Sequence, residues 1–264
     1  MTARAPWDVT DRFALITGSS RGIGRAIADT LAGAGCNVAL SSRNLRECRA
    51  AADEIGAVHR VRALGLEADI SSRASVGQMF VRLREWSENR LDILVCNAGY
   101  PFQPALWNTP LHATPDAGLP EWYLETFRTD ALGSVFCTFE ALPLMQARRN
   151  GSLIYIASTP ALEGYQGSPY TMAKAAVLGL MRDVAREYGR DNIRANALAL
   201  GNISTPATYA SLDEDSRRAL AAESPLGRWG TPEEVGRAAL FLASDLSSFV
   251  SGQVLVVDGG TLRR

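Results

Sequence analysis

The stretch FALITGSSRGIG, residues 13–24, decides the fold of this chain. Its first five residues, Phe13–Thr17, form a continuous apolar run of the length expected for a strand buried on both faces, and Gly18 ends that run. Apolar residues then recur at helical spacing from Ile23 to Leu31. A buried strand that leads through a glycine-rich turn into a helix is typical of the first unit of a parallel α/β sheet.

The same rhythm of strand and helix continues to the end of the chain. Further buried strands are predicted at residues 37–41, 58–66, 91–96, 152–157, 194–200 and 254–257. A long helix is predicted over residues 121–148 with a kink at Pro143, and a capping box at Thr231–Glu234 predicts the start of another. Alternating strands and helices imply right-handed crossovers and a parallel sheet covered on both faces. No stretch of linker composition interrupts the pattern, so one domain over residues 1–264 is expected.

Composition excludes several classes of protein. The chain has 27 Lys+Arg against 28 Asp+Glu, so it lacks the basic excess that attracts nucleic acids. No run approaches the roughly 18 apolar residues that a membrane span needs. Two histidines and four separated cysteines offer neither zinc-ligand spacing nor a disulfide framework. We therefore expect a cytoplasmic protein without a metal ion, nucleic acid or membrane as partner.

The glycine-rich turn, residues 18–24, predicts a dinucleotide-binding site. Between a buried strand and a helix N-terminus, backbone N–H groups and the helix dipole favour a pyrophosphate. The spacing G-x-x-x-G-x-G still allows a tight turn, close backbone approach and close packing of helix on strand. A turn that binds no ligand is the alternative. Cofactor contacts are expected from Gly18, Ser20, Arg21, Gly22, Ile23 and Gly24.

The same turn also matches G-x-S-x-G, the nucleophile motif of one class of hydrolases. That interpretation requires a histidine base that follows the acidic residue near the end of the chain. His59 and His112 both lie in the first half of the sequence, which argues against a hydrolase.

The end of the second predicted strand indicates which dinucleotide is bound. A ribose with a free 2′-OH is usually held by Asp or Glu about 20 residues beyond the glycines. Residues 41–44 are Ser-Ser-Arg-Asn, with no carboxylate. Arg43 and Arg21 can instead address a 2′-phosphate through charge-assisted hydrogen bonds. NADP(H) is therefore preferred, NAD(H) is the second choice, and two solvated surface charges are the alternative interpretation.

Tyr170 and Lys174 are one turn apart at the start of a helix that Pro169 predicts. A phenol transfers protons poorly near neutral pH unless a neighbouring ammonium favours its ionised form. With that help it exchanges a proton on oxygen while hydride moves on carbon. Ser158, twelve residues before Tyr170, can donate a hydrogen bond to the same substrate oxygen. A lone Y-x-x-x-K more often covers a helix surface, so the motif needs support from others.

Together these motifs resemble those of short-chain dehydrogenases/reductases, especially the 3-oxoacyl reductases. The resemblance covers almost the whole chain and implies a Rossmann-type, doubly wound sheet of seven parallel strands with helices on both faces. It also implies hydride transfer between NADP(H) and a carbonyl or secondary-alcohol substrate, by a homotetramer or homodimer. The matching stretches are residues 17–24, 68–70, 96–99, 196–205, 225–228 and 231–260, together with Ser158, Tyr170 and Lys174.

The resemblance assigns roles to individual residues. Tyr170 is implied to be the acid/base and Ser158 to polarise the substrate oxygen. Lys174 is implied to bind the nicotinamide ribose and to favour the ionised tyrosine. Further cofactor contacts are implied for Asp69, Ile70, Asn97, Ala98, Gly99, Ile203 and Thr205, in addition to Tyr170 and Lys174.

The sequence departs from the family pattern at three places. Asp130 occupies the position where the family has an asparagine that holds a proton-relaying water, and a carboxylate there would raise the lysine pKa and oppose the tyrosinate. Leu200-Gly201 replaces Pro-Gly, and the spacing from Ser158 to Tyr170 is one residue short. Asp130 is therefore a candidate catalytic residue that replaces the family's asparagine. These departures keep a second hypothesis open, a catalytically weak dinucleotide-binding sensor or scaffold.

Residues 100–120 contain five of the twelve prolines and fit neither a helix nor a strand. This insertion should emerge at the carboxyl edge of the sheet, where doubly wound folds bind ligands. Together with Tyr209 and residues 201–223, its Phe102 and Trp107 are predicted to select an apolar or ring-bearing substrate. An oligomer contact or a surface feature is an equally good interpretation of the insertion.

Overall fold

A computed structural model describes residues 5–99, 110–113, 119–164 and 167–262 of this chain. Its strands are β1 Phe13–Thr17, β2 Asn37–Ser42, β3 Ala63–Glu67, β4 Ile93–Cys96, β5 Gly151–Ser158, β6 Ile193–Leu200 and β7 Val254–Val257. Within the described ranges these seven strands pair in parallel, in the order β3-β2-β1-β4-β5-β6-β7. The predicted doubly wound, Rossmann-type sheet is confirmed, and its order reverses between β1 and β4.

Two layers of helices cover the sheet. The helices are α1 Gly22–Gly33, α2 Leu45–His59, α3 Arg73–Ser87, α4 Leu119–Phe127, α5 Gly133–Arg148, α6 Pro160–Glu163, α7 Ser168–Tyr188, α8 Pro206–Tyr209, α9 Glu214–Glu223 and α10 Pro232–Ala243. One buried apolar cluster lies under α1, α2 and α10, and a second lies under α3, α5 and α7. Burial on both faces explains why β1 and β4 are continuous apolar runs. Among the described helices, none has the length and apolar character needed to cross a membrane.

The boundary between α2 and β3 differs from the prediction. The helix continues to His59, so β3 begins at Ala63 rather than at Val58. Arg60, in the left-handed conformation, ends the helix and donates its N–H to Gly56 O. Val58 is 67% exposed, on the outer side of the helix. A short apolar stretch does not distinguish the end of a helix from a strand by its period, which is why the prediction was wrong here.

The long helix predicted over residues 121–148 contains an unpredicted π-helical turn. α4 ends at Phe127, Arg128–Leu132 form the π-helical turn, and α5 continues through Pro143. Such turns add a residue to the helical repeat and occur frequently at functional sites. This one places Asp130 in the protein interior, with 1% of the residue exposed.

The predicted capping box is present at the start of α10. Thr231 accepts a hydrogen bond from the Glu234 N–H, and the Glu234 carboxylate accepts one from the Thr231 N–H. Arg228 donates two hydrogen bonds to this carboxylate, which lowers the pKa of Glu234 to about 2. Gly230, beside the box, pairs with Ile203, so these contacts also fix the loop that follows β6.

Candidate active site

The glycine-rich turn lies at the carboxyl end of β1, where the strand order reverses. Gly18 and Gly22 have φ of 63° and 60°, a region that favours glycine. A Cβ on Gly18 would lie 2.7 Å from Ala98 Cα, and one on Gly24 would lie 2.4 Å from Gly18 O. At Gly22 the nearest atoms would belong to Thr205, 3.9 Å away. Gly18 and Gly24 therefore permit close packing within the turn, whereas the open space beside Gly22 leaves the backbone in front of α1 approachable, as a pyrophosphate requires.

Asn97 and Thr17 hold this turn against β4. Asn97 Nδ2 donates to Thr17 O at 2.9 Å and to Gly18 O at 3.0 Å. In return, Thr17 Oγ1 accepts from the backbone N–H groups of Asn97 and Ala98. The structure thus brings residues 97–99 to the turn, as the cofactor assignment requires. The Asn97 side chain braces the protein there, a role that was not predicted.

Ser19 ties the same turn to β2. It is fully buried, and its Oγ donates to Ile16 O at 2.6 Å and accepts from the Ser41 N–H at 3.1 Å. Neither Ser19 nor Thr17 was singled out from the sequence. No local pattern predicts the roles of these hydroxyls, because the N–H groups that they accept from, those of Ser41, Asn97 and Ala98, are more than twenty residues away in the sequence.

The adenosine end of the expected site carries two exposed cations. Arg21 and Arg43 are exposed, and neither forms an ion pair within the described part of the chain. A carboxylate is also close, in the first turn of α2. Glu47 accepts hydrogen bonds from Ser20 Oγ at 3.4 Å and from Asn44 Nδ2 at 2.8 Å. The prediction considered only the end of β2 and did not weigh this residue.

Asp69 and Ile70 follow β3 at the same edge of the sheet. Asp69 is exposed, and its Oδ1 accepts from the N–H and the hydroxyl of Ser71. Ile70 is buried, and its Cδ1 would lie 2.7 Å from a Cβ on Gly133. Asp69 is therefore accessible to an adenine, whereas the Ile70 side chain packs on the start of α5.

Ser158, Tyr170 and Lys174 lie at adjoining ends of packed elements. Ser158 ends β5, and the other two residues lie in the first two turns of α7, which packs on β5. Pro169 is in the first turn of α7, as predicted. Lys174 Nζ lies 5.6 Å from the centroid of the Tyr170 ring. Ser158 Oγ donates to Leu200 O at 3.2 Å. The structure therefore brings the lysine to the tyrosine.

Asp130 and Lys174 form a buried ion pair. Asp130 Oδ1 lies 2.7 Å from Lys174 Nζ, and the exposed fractions of their side chains are 0% and 6%. Lys174 Nζ also donates to Ile156 O at 3.1 Å. Burial by itself lowers the pKa of Lys174, but Asp130 and Tyr170 outweigh burial, so the pKa is raised. A Cβ on Gly99 would lie 2.8 Å from Asp130 Oδ1, so the pair adjoins residues 97–99.

Residues 201–223 extend from β6 through α8 and α9. Thr205 caps α8 by accepting from the Thr208 N–H. Tyr209 lies edge-on to Trp229, with ring centroids 5.3 Å apart, and below the Arg217 guanidinium. These residues line a cavity of about 670 Å³ that Ser158, Tyr170 and Lys174 do not line. Phe102 and Trp107, predicted to contact substrate, lie outside the described residues.

A parallel sheet that reverses order beside a glycine-rich turn, with a tyrosine–lysine pair at the same edge, defines the class of Rossmann-fold oxidoreductases. Comparison with known proteins then identifies the family. Residues 18–261 match the family described as enoyl-(acyl carrier protein) reductase. The chain belongs to the short-chain dehydrogenase/reductase family, as the sequence motifs predicted.

Relatives match over nearly the whole length of the chain. The 3-oxoacyl-[acyl-carrier-protein] reductase of Aquifex aeolicus is 34% identical, covering 94% of this chain and 96% of that protein. The (2S)-[(R)-hydroxy(phenyl)methyl]succinyl-CoA dehydrogenase subunit of Thauera aromatica is 37% identical, covering 96% and 97%. The solved structure of a putative gluconate dehydrogenase from Agrobacterium tumefaciens has a TM-score of 0.89 and 31% identity, covering 99% and 100%. The protein is thus an oxidoreductase of CH–OH and C=O groups.

Proposed function

We propose that this protein transfers a hydride between NADP(H) and a carbonyl or secondary-alcohol substrate, with Tyr170 as the acid/base. The observation that carries the proposal is the buried Asp130–Lys174 pair facing the Tyr170 ring. Lys174 is also the only lysine of the chain, in which every other basic residue except the two histidines is arginine. An amine kept only at this buried position indicates a chemical requirement that a guanidinium does not meet.

Each residue then has a defined task. A bound nicotinamide supplies or accepts the hydride. Tyr170 gives its hydroxyl proton to the carbonyl oxygen during reduction and recovers it during oxidation. The Lys174 ammonium, held by Asp130 and Ile156 O, stabilises the phenolate. The Ser158 hydroxyl rotates from Leu200 O to donate to the substrate oxygen.

The cofactor would lie across the carboxyl edge of the sheet. Its pyrophosphate would meet the N–H groups of residues 18–24 at the start of α1. Asp69 would contact the adenine, residues 97–99 would line the site, and Lys174 would reach the ribose. Ile203 and Thr205 would contact the carboxamide, a role supported by the closeness of Thr205 to Gly22.

Absorbance of the reduced nicotinamide, followed with a panel of carbonyl compounds, tests this function. The panel includes ring-bearing ketones, because Tyr209 and residues 201–223 are proposed to select such substrates. The name of one relative also refers to a compound with a phenyl group. We expect NADPH oxidation that depends on the carbonyl compound. Nucleotide binding with no turnover on any compound would favour the sensor or scaffold, and ester turnover without nucleotide would favour a hydrolase.

Arg43→Ala is expected to raise the Kd of NADPH by about 10–100-fold and to leave the Kd of NADH unchanged, because hydrogen bonds to a charged group contribute about 1.5–3 kcal/mol. Titration of cofactor fluorescence measures both constants. Arg46→Ala, at an exposed arginine in the first turn of α2, is the control. Equal weakening for both cofactors would contradict recognition of a 2′-phosphate by Arg43.

We propose that copies of this chain associate as a homotetramer or homodimer through the helices that follow β4 and β5. An apolar stripe, 37–63% exposed, supports this contact and consists of Leu124, Phe127, Leu132, Val135 and Phe139. Phe139→Glu is expected to lower the molar mass measured by light scattering, because it places a charge within the stripe. Val58→Glu, at an exposed apolar residue of α2, is the control. An unchanged mass for Phe139→Glu would exclude this surface.

We further propose that residues 1–264 act as one catalytic domain in the cytoplasm. All four cysteines are buried free thiols, which fits a reducing compartment. The matching family model, which spans residues 18–261 without a break, supports a single catalytic unit.

A further inference from the structure

Two packed helical segments carry matching rows of polar side chains beside the catalytic tyrosine. One row lies on α4 and the π-helical turn, and the other lies on the first half of α7. These segments pack against each other, and the residues recur at intervals of three or four, so each row follows one helix face. We call this arrangement the polar ladder; its outer rungs are the contacts Tyr123–Ser168 and Asp130–Lys174. Thr126 and Thr171, which lie between these contacts on the two segments, form its middle rung.

The two outer rungs are formed in the structure. The hydroxyls of Tyr123 and Ser168 are hydrogen-bonded, and Asp130 Oδ1 lies 2.7 Å from Lys174 Nζ. Tyr123 and Ser168 are partly exposed, whereas Asp130 and Lys174 are buried. The polar ladder therefore runs from the protein surface to the interior.

The middle rung consists of two buried hydroxyls. Thr126 is 1% exposed, and neither its Oγ1 nor the Oγ1 of Thr171 has a hydrogen-bond partner within the described part of the chain. Buried polar atoms that lack a protein partner are normally bound by ordered water, because leaving them unsatisfied is costly. A water between Thr126 and Thr171 would connect the two outer rungs.

We propose that the polar ladder is the path by which Tyr170 exchanges protons with solvent. The proposal rests on the proposed function, because Tyr170 needs a new proton only when it turns over. For each carbonyl reduced, Tyr170 gives one proton to the substrate oxygen. One proton from solvent enters at Tyr123 and Ser168 and passes along the O–H groups of the middle rung. The Lys174 ammonium gives one of its protons to the Tyr170 phenolate and regains one through Asp130, and oxidation reverses the path.

The chemistry of Asp130 suits the inner end of this path. The amide of an asparagine has no oxygen that takes over a proton during transfer, whereas a carboxylate oxygen can accept a proton from one neighbour and pass it to the next. Asp130 is thus a positioning residue that acts on Tyr170 through Lys174. Its carboxylate serves as the proton acceptor between the hydroxyls of the middle rung and the Lys174 ammonium.

Removal of the middle hydroxyls tests the path. Thr126→Val and Thr171→Val delete one hydroxyl each with little change of shape, whereas Thr126→Ser keeps it. Ser87→Ala is the matched control, because Ser87, at the end of α3, has a fully buried hydroxyl without a hydrogen-bond partner among the described residues. We expect each valine variant to lower kcat about tenfold, short of the ~10²–10⁴-fold of losing proton transfer altogether. The Thr126→Ser and Ser87→Ala variants should keep the wild-type kcat.

Isotope effects separate a proton path from a structural role. With deuterium at the transferred position of NADPH, the primary isotope effect should disappear in both valine variants while the solvent isotope effect grows, because proton delivery becomes limiting. Without cofactor, each valine variant should also lower the Tm, because a hydrated hydroxyl contributes bonds that a methyl group does not. A raised Tm would mean that the middle rung is dry and would overturn the path.

Two further results would also overturn the proposal. One is a kcat and isotope effects for Thr126→Val equal to those of Ser87→Ala. The other is a lower kcat with an undiminished primary isotope effect, which would mean that the hydroxyls only hold Lys174. Wild-type protein without any turnover would overturn the proposed function and the path together. Wild-type turnover with unaffected valine variants would overturn the path alone.

Discussion

Tyr170→Phe is expected to lower kcat by about 10²–10⁴-fold, the usual loss when a positioned acid/base is removed. The substitution deletes only the phenol oxygen and keeps the ring that Lys174 Nζ faces at 5.6 Å. The Kd of NADPH should therefore stay close to that of the wild type. Stopped-flow absorbance of the nicotinamide measures the rate, and cofactor fluorescence measures the Kd.

Tyr188→Phe is the matched control for this substitution. Tyr188 lies at the other end of α7 and is partly exposed, as Tyr170 is. The Tyr188→Phe variant should retain the wild-type kcat and the wild-type Kd of NADPH. Turnover by Tyr170→Phe within a factor of two of the control would remove Tyr170 from the mechanism. A loss of turnover together with a loss of NADPH binding would point instead to a disrupted cofactor site.

Lys174→Met is expected to destabilise the protein by about 3–5 kcal/mol, because removing one partner leaves the other charge buried and uncompensated. The Asp130 side chain is 0% exposed, so water does not replace the ammonium without a structural change. Urea unfolding monitored by circular dichroism measures the free energy of unfolding.

The double variant Asp130→Leu/Lys174→Met isolates the contribution of the charge. Replacement of a whole buried pair by apolar residues is often neutral or stabilising, so most of the lost stability should return while activity stays absent. If Lys174→Met alone costs less than about 1 kcal/mol, the pair would behave as a solvated surface salt bridge. That result would contradict the burial on which the proposed chemistry depends.

The parts of the fold that local patterns encode were predictable. Buried strands of a parallel sheet are continuous apolar runs, so β1 and β6 were found within a residue of their ends. The capping box at Thr231 has a strict local spacing and was also confirmed. The π-helical turn at Arg128–Leu132 was not predicted, because a change of hydrogen-bond register leaves the apolar pattern nearly intact.

In the candidate site too, the residues were predictable from the sequence, whereas their contacts were not. The sequence motifs predicted that Tyr170, Lys174 and Asp130 belong to the site. They did not predict the direct contact between Asp130 Oδ1 and Lys174 Nζ. A relay water held by the family's asparagine would leave these groups apart. Their direct contact depends on how far the π-helical turn rotates Asp130 towards α7, which only packing sets.

The sequence alone predicted a parallel α/β sheet with a glycine-rich turn after β1, because apolar period, glycine conformation and capping act within a few residues of one another. The doubly wound order and the oxidoreductase activity were predicted from the resemblance to the family. Only the tertiary structure established the bracing of that turn by Asn97 and Thr17 and the two outer contacts of the polar ladder. These contacts join residues that are tens of positions apart in the sequence, such as Thr17 and Asn97, which are separated by 80 positions. Their partners are chosen by close packing of whole elements, which no local pattern records.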